Sequence, residues 1–324
     1  MLNVLDLSHR HAQRVLATGA PVYLPVNPVE YHGPHLSLHN DALISAGLIG
    51  ALHAALQPAH PGWPLLVASD LEIGVEPVPG PGTRATSLRQ ARRQVRAACT
   101  ALAVLGARKV VLVTFHGSPL HNIALQAGVR ALQDRGVRAL SPMNTLLREL
   151  IAIDPGQHHD LVAHISDPAD RQRVLDDLPV DMHGGFLETS LAMHLAPASV
   201  SPEVHTLPPC PPLRPRRAWH HIASSLSRVG ASELALMAQL AAAGDAWFSL
   251  RPFPGYTSAP HLASPEAGAK LTAMIVERYR ALCEAVFDGA PPPEPLVPWL
   301  AAASLGGRLT EPRIPMEAIY TPRL

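Results

Sequence analysis

The sequence predicts an α/β protein, a three-layer α/β/α sandwich built on a mainly parallel sheet. Two observations predict it. Apolar runs of strand length alternate with longer segments of helical period. The runs are also apolar at successive residues rather than at every second one, as strands covered on both faces are. PVYLPV (residues 21–26) is the first buried strand, and DALISAGLIGALHAAL (41–56) follows it with apolar residues at helical spacing. PLLVAS (64–69) is a second strand, SLRQARRQVRAACTALAVLG (87–106) a helix stopping at Gly106, and KVVLVTF (109–115) a Val-rich third strand. A helix over 121–135, a short strand over 137–140 and a helix over 143–152 continue the alternation. Further on, PADRQRVLDDL (168–178) reads as a helix between Pro168 and Pro179, and GGFLETSLAMHL (184–195) as a helix opened by glycine. Proline recurs from Pro197 to Pro215, which excludes a regular helix or central strand there and predicts a loop or lid. Two more helices are expected, over 218–243 and 264–287. No internal repeat divides residues 1–290, which read as a single domain. Residues 291–324 form a Pro-rich C-terminal tail, expected to extend along the surface or a neighbouring subunit.

Composition narrows the function. Of 324 residues, 47% are hydrophobic and 16% charged, enough apolar surface to offset the entropy cost of folding. Lys and Arg (26) balance Asp and Glu (26), and the basic residues are scattered, so neither nucleic acid nor an anionic membrane is the expected partner. Cys99, Cys210 and Cys283 are too few and too far apart for a disulfide framework or a cysteine zinc site, and a reducing cytoplasm is the expected compartment. The first residues lack a signal-peptide pattern, and no run approaches the ~20 apolar residues of a membrane span. Histidine stands out at 18 residues. Imidazole is the commonest metal ligand and the side chain that titrates near neutrality.

Several of these histidines fall where ligands gather in α/β sheets, beyond the strand ends. The first strand runs into Asn27-Pro28-Val29-Glu30-Tyr31-His32-Gly33-Pro34-His35, and Asp41 opens the next helix. Glu30 and His32 are two residues apart, so extended backbone points both side chains the same way. His116 directly follows the third strand. A further cluster, Asp181-Met182-His183-Gly184-Gly185-Phe186-Leu187-Glu188, places Glu188 in the first helical turns. Mixed His and carboxylate ligands suit Zn²⁺, Mn²⁺ or Fe²⁺, and a carboxylate can bridge two ions.

These strings resemble the creatininase family of metal-dependent amidohydrolases. LPVNPVEYHGPHLSLHNDALIS is similar to its first signature, Glu76 to Thr83 ends in the same Pro-Gly-Thr, and His116-Gly117 matches its third-strand histidine. His183-Gly184-Gly185 with Glu188-Thr189-Ser190 matches its last element, so the resemblance spans about residues 20–200. It implies two divalent ions per chain, Zn²⁺ or Mn²⁺ with Fe²⁺ as a further choice, bridged by Asp41. Glu30 and His116 would complete one ion's ligands, and His32 would bind the other. Creatininase itself supplies the second carboxylate two residues after the third-strand histidine, where this chain has Ser118, and the resemblance then assigns that role to Glu188. His183 matches the acid/base that moves a proton between metal-bound water and the leaving nitrogen. Coordination lowers the pKa of water from 15.7 to about 7, and general acid help contributes roughly 10²–10⁴-fold.

The resemblance therefore implies a hydrolase acting on a non-peptide carbon–nitrogen bond of a small linear or cyclic amide, assembled as a homohexamer. Alternatives are a peptidase or deformylase in cofactor biosynthesis, and an inactive relative that binds a ligand or scaffolds an assembly. Asn27, Tyr31 and Ser37 stand where the family usually has Gly, Gln and Pro, and the tryptophans that close over creatinine are missing before His183. Creatinine is thus not the expected substrate. Among the other histidines, His35 is expected to brace its loop, and His39 and His121 to be exposed or to touch substrate. The His158-His159 and His220-His221 doublets diverge too much to chelate one ion. Cys99 is expected in the core. No Gly-x-Ser-x-Gly, Walker or dinucleotide fingerprint occurs.

Overall fold

The computed structural model describes residues 1–228, 230–311 and 313–320. Position 229 of the expected 218–243 helix, tail positions 312 and 321–324, and the side chain of His220 lie outside that description. The strands are β1 (Leu2–Asn3), β2 (Val22–Asn27), β3 (Leu66–Val67), β4 (Leu71–Glu72), β5 (Lys109–Val113) and β6 (Arg138–Leu140). They pair in the order β1-β3-β2-β5-β6, with β4 also against β2, and every pairing is parallel. The helices are α1 (His9–Leu16), α2 (Asn40–Leu56), α3 (Leu88–Leu105), α4 (Pro119–Gln133), α5 (Met143–Ile151), α6 (Pro168–Asp177) and α7 (Phe186–Leu195). They continue with α8 (Arg217–Arg228), α9 (Ser232–Phe248), α10 (Pro265–Phe287) and α11 (Leu300–Ala303). Among the described residues, no helix is long and apolar enough to cross a membrane.

Alternation along the strands sorts side chains into two cores. Val22, Leu24 and Val26 of β2, with Val110 and Leu112 of β5, pack on Val95, Cys99 and Leu102 of α3 and Leu125 and Val129 of α4. Tyr23, Val111 and Val113 face the other way, onto Ile44, Leu48 and Leu52 of α2, Leu187 and Leu191 of α7, and Leu271 and Ile275 of α10. A strand buried on both faces has no solvent side, so these runs are apolar throughout, and the three layers follow. Helix α3 is set by its ends: Ser87 and Gln90 form a reciprocal capping box, and Gly106 closes it in the left-handed region.

The structure adds to and divides the elements expected from the sequence. Helices α1 and α11 and strands β1 and β4 are additional; both helices are too short for their period to stand out, and each of the two strands is two residues long. The helix expected over 218–243 is two, α8 and α9. Gly230 at φ +76° turns the chain between them, a conformation that the surrounding apolar periodicity does not reveal. Between Pro197 and Pro215 the chain makes only short 3₁₀ turns. A third, smaller cluster sits apart from the two main cores: Tyr31, Val78, Trp247, Phe253, Ile314 and Ile319.

Candidate metal centre

The site is built where β2 and β5 end. Beyond β2, Glu30 and His32 project from a loop whose turn at Gly33 (φ +74°) tolerates no side chain, since a Cβ would lie 2.9 Å from the Tyr256 ring. Asp41 lies in the first turn of α2, His116 three residues beyond β5, and Glu188 in the first turn of α7. Glu30, His32, Asp41, His116 and His183 are all buried. Their ligand atoms form three overlapping groups, each spanning no more than 4.8 Å: Glu30-Asp41-His116, His32-Asp41-Glu188 and Glu30-His32-His183.

Backbone carbonyls fix which imidazole nitrogen faces the centre. A carbonyl only accepts, so a ring nitrogen bonded to one carries the proton and leaves the other nitrogen's lone pair free. His116 donates through Nε2 to the Val75 carbonyl at 3.0 Å, and its Nδ1 faces Glu30 Oε2 at 2.9 Å and Asp41 Oδ2 at 3.8 Å. His32 donates through Nδ1 to the Glu30 carbonyl at 3.0 Å, and its Nε2 faces Asp41 Oδ1 at 3.4 Å and Glu188 Oε2 at 3.7 Å. His183 donates through Nε2 to the Tyr31 carbonyl at 2.8 Å, leaving Nδ1 4.0 Å from Glu30 Oε1. The nitrogens that face carboxylate oxygens are therefore the ones open to a proton or a metal ion. Both Asp41 oxygens and His32 Nε2 are buried without a hydrogen-bond partner. Such groups cost free energy unless a cation, a proton or a metal ion, lies between them.

The electrostatics record the same frustration. Burial pushes the His32 imidazole down, yet Asp41 and Glu188 outweigh it and lift its pKa to about 10. His116 is raised to about 9 against burial, chiefly by Glu30. Burial, reinforced by Asp41, raises Glu188 to about 8 against the pull of His32. Burial opposes the lowering of Glu30, which the His116 charge and hydrogen bond bring about. His183 goes the other way, well below the ordinary value, through burial and the neighbouring His32. A neutral His183 stacks on His32 with ring centroids 4.1 Å apart.

The remaining histidines divide. His35 hydrogen-bonds Thr189 Oγ1 at 2.9 Å and ties the β2 loop to α7, the bracing arrangement expected of it. His121 is fully buried, contrary to the expected exposure. Its Nε2 donates to the Val26 carbonyl at 3.1 Å, and its ring meets His116 edge-on at 5.0 Å, because the first turn of α4 folds back beneath the His116 loop. Ser118, the residue at the position of the missing carboxylate, caps α4 by accepting from the His121 amide.

Several contributors gave no signal in the sequence. The Val75 and Tyr31 carbonyls and the Val78 amide, which donates to Glu30 Oε1 at 2.5 Å, act through backbone. Trp247, on α9, lies 5.5 Å from His183 between ring centroids and is buried, with its indole N–H on the Tyr256 carbonyl at 2.9 Å. An aromatic wall thus reaches His183 from an element distant in sequence.

Fold and site together define an α/β protein whose parallel sheet presents paired histidine–carboxylate metal-donor groups sharing one aspartate. The chain belongs to the creatininase family: the family described as creatinine amidohydrolase matches residues 6–283. Solved structures share the fold. A mutant creatininase complexed with creatine superposes with a TM-score of 0.56 at 19% identity, covering 88% of this chain and 99% of that one. A mutant creatininase of Zn-Zn type gives 0.54 at 21% identity over 90% of this chain and 100% of that one. A creatininase in its Mn form gives the same score, identity and coverage. No curated protein matches the chain in sequence.

Proposed function

We propose that this protein is a metal-dependent amidohydrolase that cleaves a non-peptide carbon–nitrogen bond in a small linear or cyclic amide. The observation that carries the reading is Asp41. It lies between two donor groups, and both of its buried oxygens face imidazole nitrogens without a hydrogen-bond partner. In this reading Glu30, Asp41 and His116 would hold one divalent ion, and His32, Asp41 and Glu188 the other, with Zn²⁺ or Mn²⁺ fitting the mixed nitrogen and oxygen donors. Such ions supply Lewis acidity, lowering the pKa of a coordinated water from 15.7 towards about 7 and polarising an amide carbonyl. Glu188 takes the place left open by Ser118 and is itself oriented by the Gly184 amide at 2.5 Å.

His183 moves the proton. Its Nε2–H is committed to the Tyr31 carbonyl, so Nδ1 is the atom that accepts a proton from attacking water and delivers it to the departing nitrogen. The depressed basicity of this imidazole keeps Nδ1 free at neutral pH and makes its protonated form a strong acid. Trp247 packs against the His183 ring, tilted to it at 5.5 Å between centroids. Creatinine is not the proposed substrate, because Asn27 at the end of β2 and Tyr31 and Ser37 in the loop beyond it depart from the family's usual residues. Cytoplasmic location and homohexameric assembly are carried into the proposal from the cysteine content and the family resemblance.

The test combines metal analysis with a panel of lactams, hydantoins and formamides. About two Zn²⁺ or Mn²⁺ per chain and turnover of a panel member are the expected results. Well under one ion per chain, with no thermal stabilisation by added ions, refutes the reading.

A further inference from the structure

The C-terminal tail lies beyond the residues that match the family, yet it packs on the candidate site. Glu294 accepts from Arg130 at 3.1 Å and from Gln126 at 3.4 Å, both on α4. Leu300 and Ala301 pack against the core beneath α4, and the turn that follows brings the Thr310 hydroxyl onto Glu76, to which it donates a hydrogen bond. Ser118 donates to the other oxygen of the same carboxylate at 3.0 Å. Ile314 and Ile319 then enter the cluster that contains Tyr31, Val78 and Trp247.

Glu76 is the pivot. Its φ of +55° is a left-handed conformation that side chains with a Cβ rarely adopt, and such strain persists only where surrounding contacts enforce it. The kink lies between Val75, whose carbonyl receives His116 Nε2–H, and Val78, whose amide donates to Glu30. One short turn thus braces both donors of one ion site that Asp41 does not supply. The Glu76 carboxylate itself belongs to none of the donor groups.

We propose that Glu76, clamped by Ser118 and Thr310, is a positioning residue for the Glu30/His116 half of the metal centre, which makes the C-terminal tail an integral part of that half-site. This inference rests on the metal-centre reading above. Its test is a Mn²⁺ or Co²⁺ titration of the full chain, followed by calorimetry and by cobalt absorbance, with ion-free melting measured in parallel. T310V removes the hydroxyl at near-constant volume. E76G removes both the clamp and the Cβ that makes the kink costly. Each is expected to weaken one ion site by roughly 10–100-fold, as loss of a group that orients a ligand does, and to leave the other site unchanged. E76G keeps or raises ion-free stability. In an E188Q background, where only the Glu30/His116 site remains, the same loss appears on that site. L309S, at an exposed tail position, binds both ions like the parent. Variants that keep parental affinity at both sites, or that weaken both equally in step with a lower melting temperature, overturn the proposal. A parent chain that takes up no ion overturns the metal reading itself, whereas a parent with two ions and unaffected variants overturns this inference alone.

Discussion

Asp41→Asn is the sharpest perturbation of the centre. The side chain is 1% exposed, and its oxygens lie 3.4 Å from His32 Nε2 and 3.8 Å from His116 Nδ1. The amide keeps the shape, removes the charge and turns one of the two facing atoms into a donor, so neither donor group is complete. An ion present at a hundredfold excess over its dissociation constant stabilises the folded state by about 2.7 kcal/mol, and two ions by roughly 5 kcal/mol. At about 2 °C per kcal/mol for a chain of this size, the parent should gain roughly 10 °C in Tm on loading with Mn²⁺. The D41N variant should gain almost nothing. Its ion-free stability should fall too, because the two buried imidazoles lose the carboxylate that favours their charged form, so the Mn²⁺-dependent gain is read within each variant as loaded minus ion-free Tm. E188Q, which spoils only the group containing His32, should retain about half of the gain. Thermal unfolding with and without Mn²⁺, combined with metal content per chain, reads all three. A D41N protein that still binds two ions, or shows the parental Mn²⁺-dependent shift, would refute the argument that Asp41 is shared.

Three further outcomes are expected. His183→Ala should keep its ions and lose turnover by roughly 10²–10⁴-fold on any amide the parent hydrolyses, and parental turnover in that variant would remove His183 from the chemistry. Ion uptake at pH 7 should release protons, because His32, His116 and Glu188 are held up to about 10, 9 and 8 in the ion-free protein. Binding enthalpies that do not vary with the buffer's ionisation heat would contradict this. For the two histidines, the raised folded-state values give stability that is present below about 6.5 and is lost as pH rises through 9–10, so the ion-free Tm should fall over that range. Gly268→Ala should lower Tm, since the new Cβ would collide with the Ser190 carbonyl on α7 and overpacking of this kind costs about 1–3 kcal/mol. The displaced α7 should also loosen Glu188, and a variant with parental Tm would show that α7 and α10 have room to yield.

The layers were legible because they rest on local order. Val22 to Val26 and Val110 to Val113 are apolar at every position as doubly covered strands must be, and Ser87 and Gly106 mark the ends of α3 through bonds within a few residues. The donors were legible for a related reason. Glu30 and His32 share a side of extended chain, while Asp41 and His116 sit at the ends of elements whose periodicity is plain. The division of 218–243 into two helices was not legible because Gly230, where the chain turns, breaks no apolar pattern. The burial of His121 was not legible because a polar residue in a helix's first turn is exposed or buried according to what packs over it, here the loop that carries His116.

Sequence by itself thus determined the α/β alternation and the residue types able to hold metal, since both are set by backbone geometry over a few positions. Only the tertiary structure decided the rest: Glu188 meeting His32, the carbonyls of Val75, Glu30 and Tyr31 aiming three imidazoles, Trp247 against His183, and the tail pinning Glu76. These contacts join segments far apart in the chain through loop dihedral angles and backbone groups that every residue type shares. No local pattern encodes which carbonyl an imidazole will find; packing of the layers does.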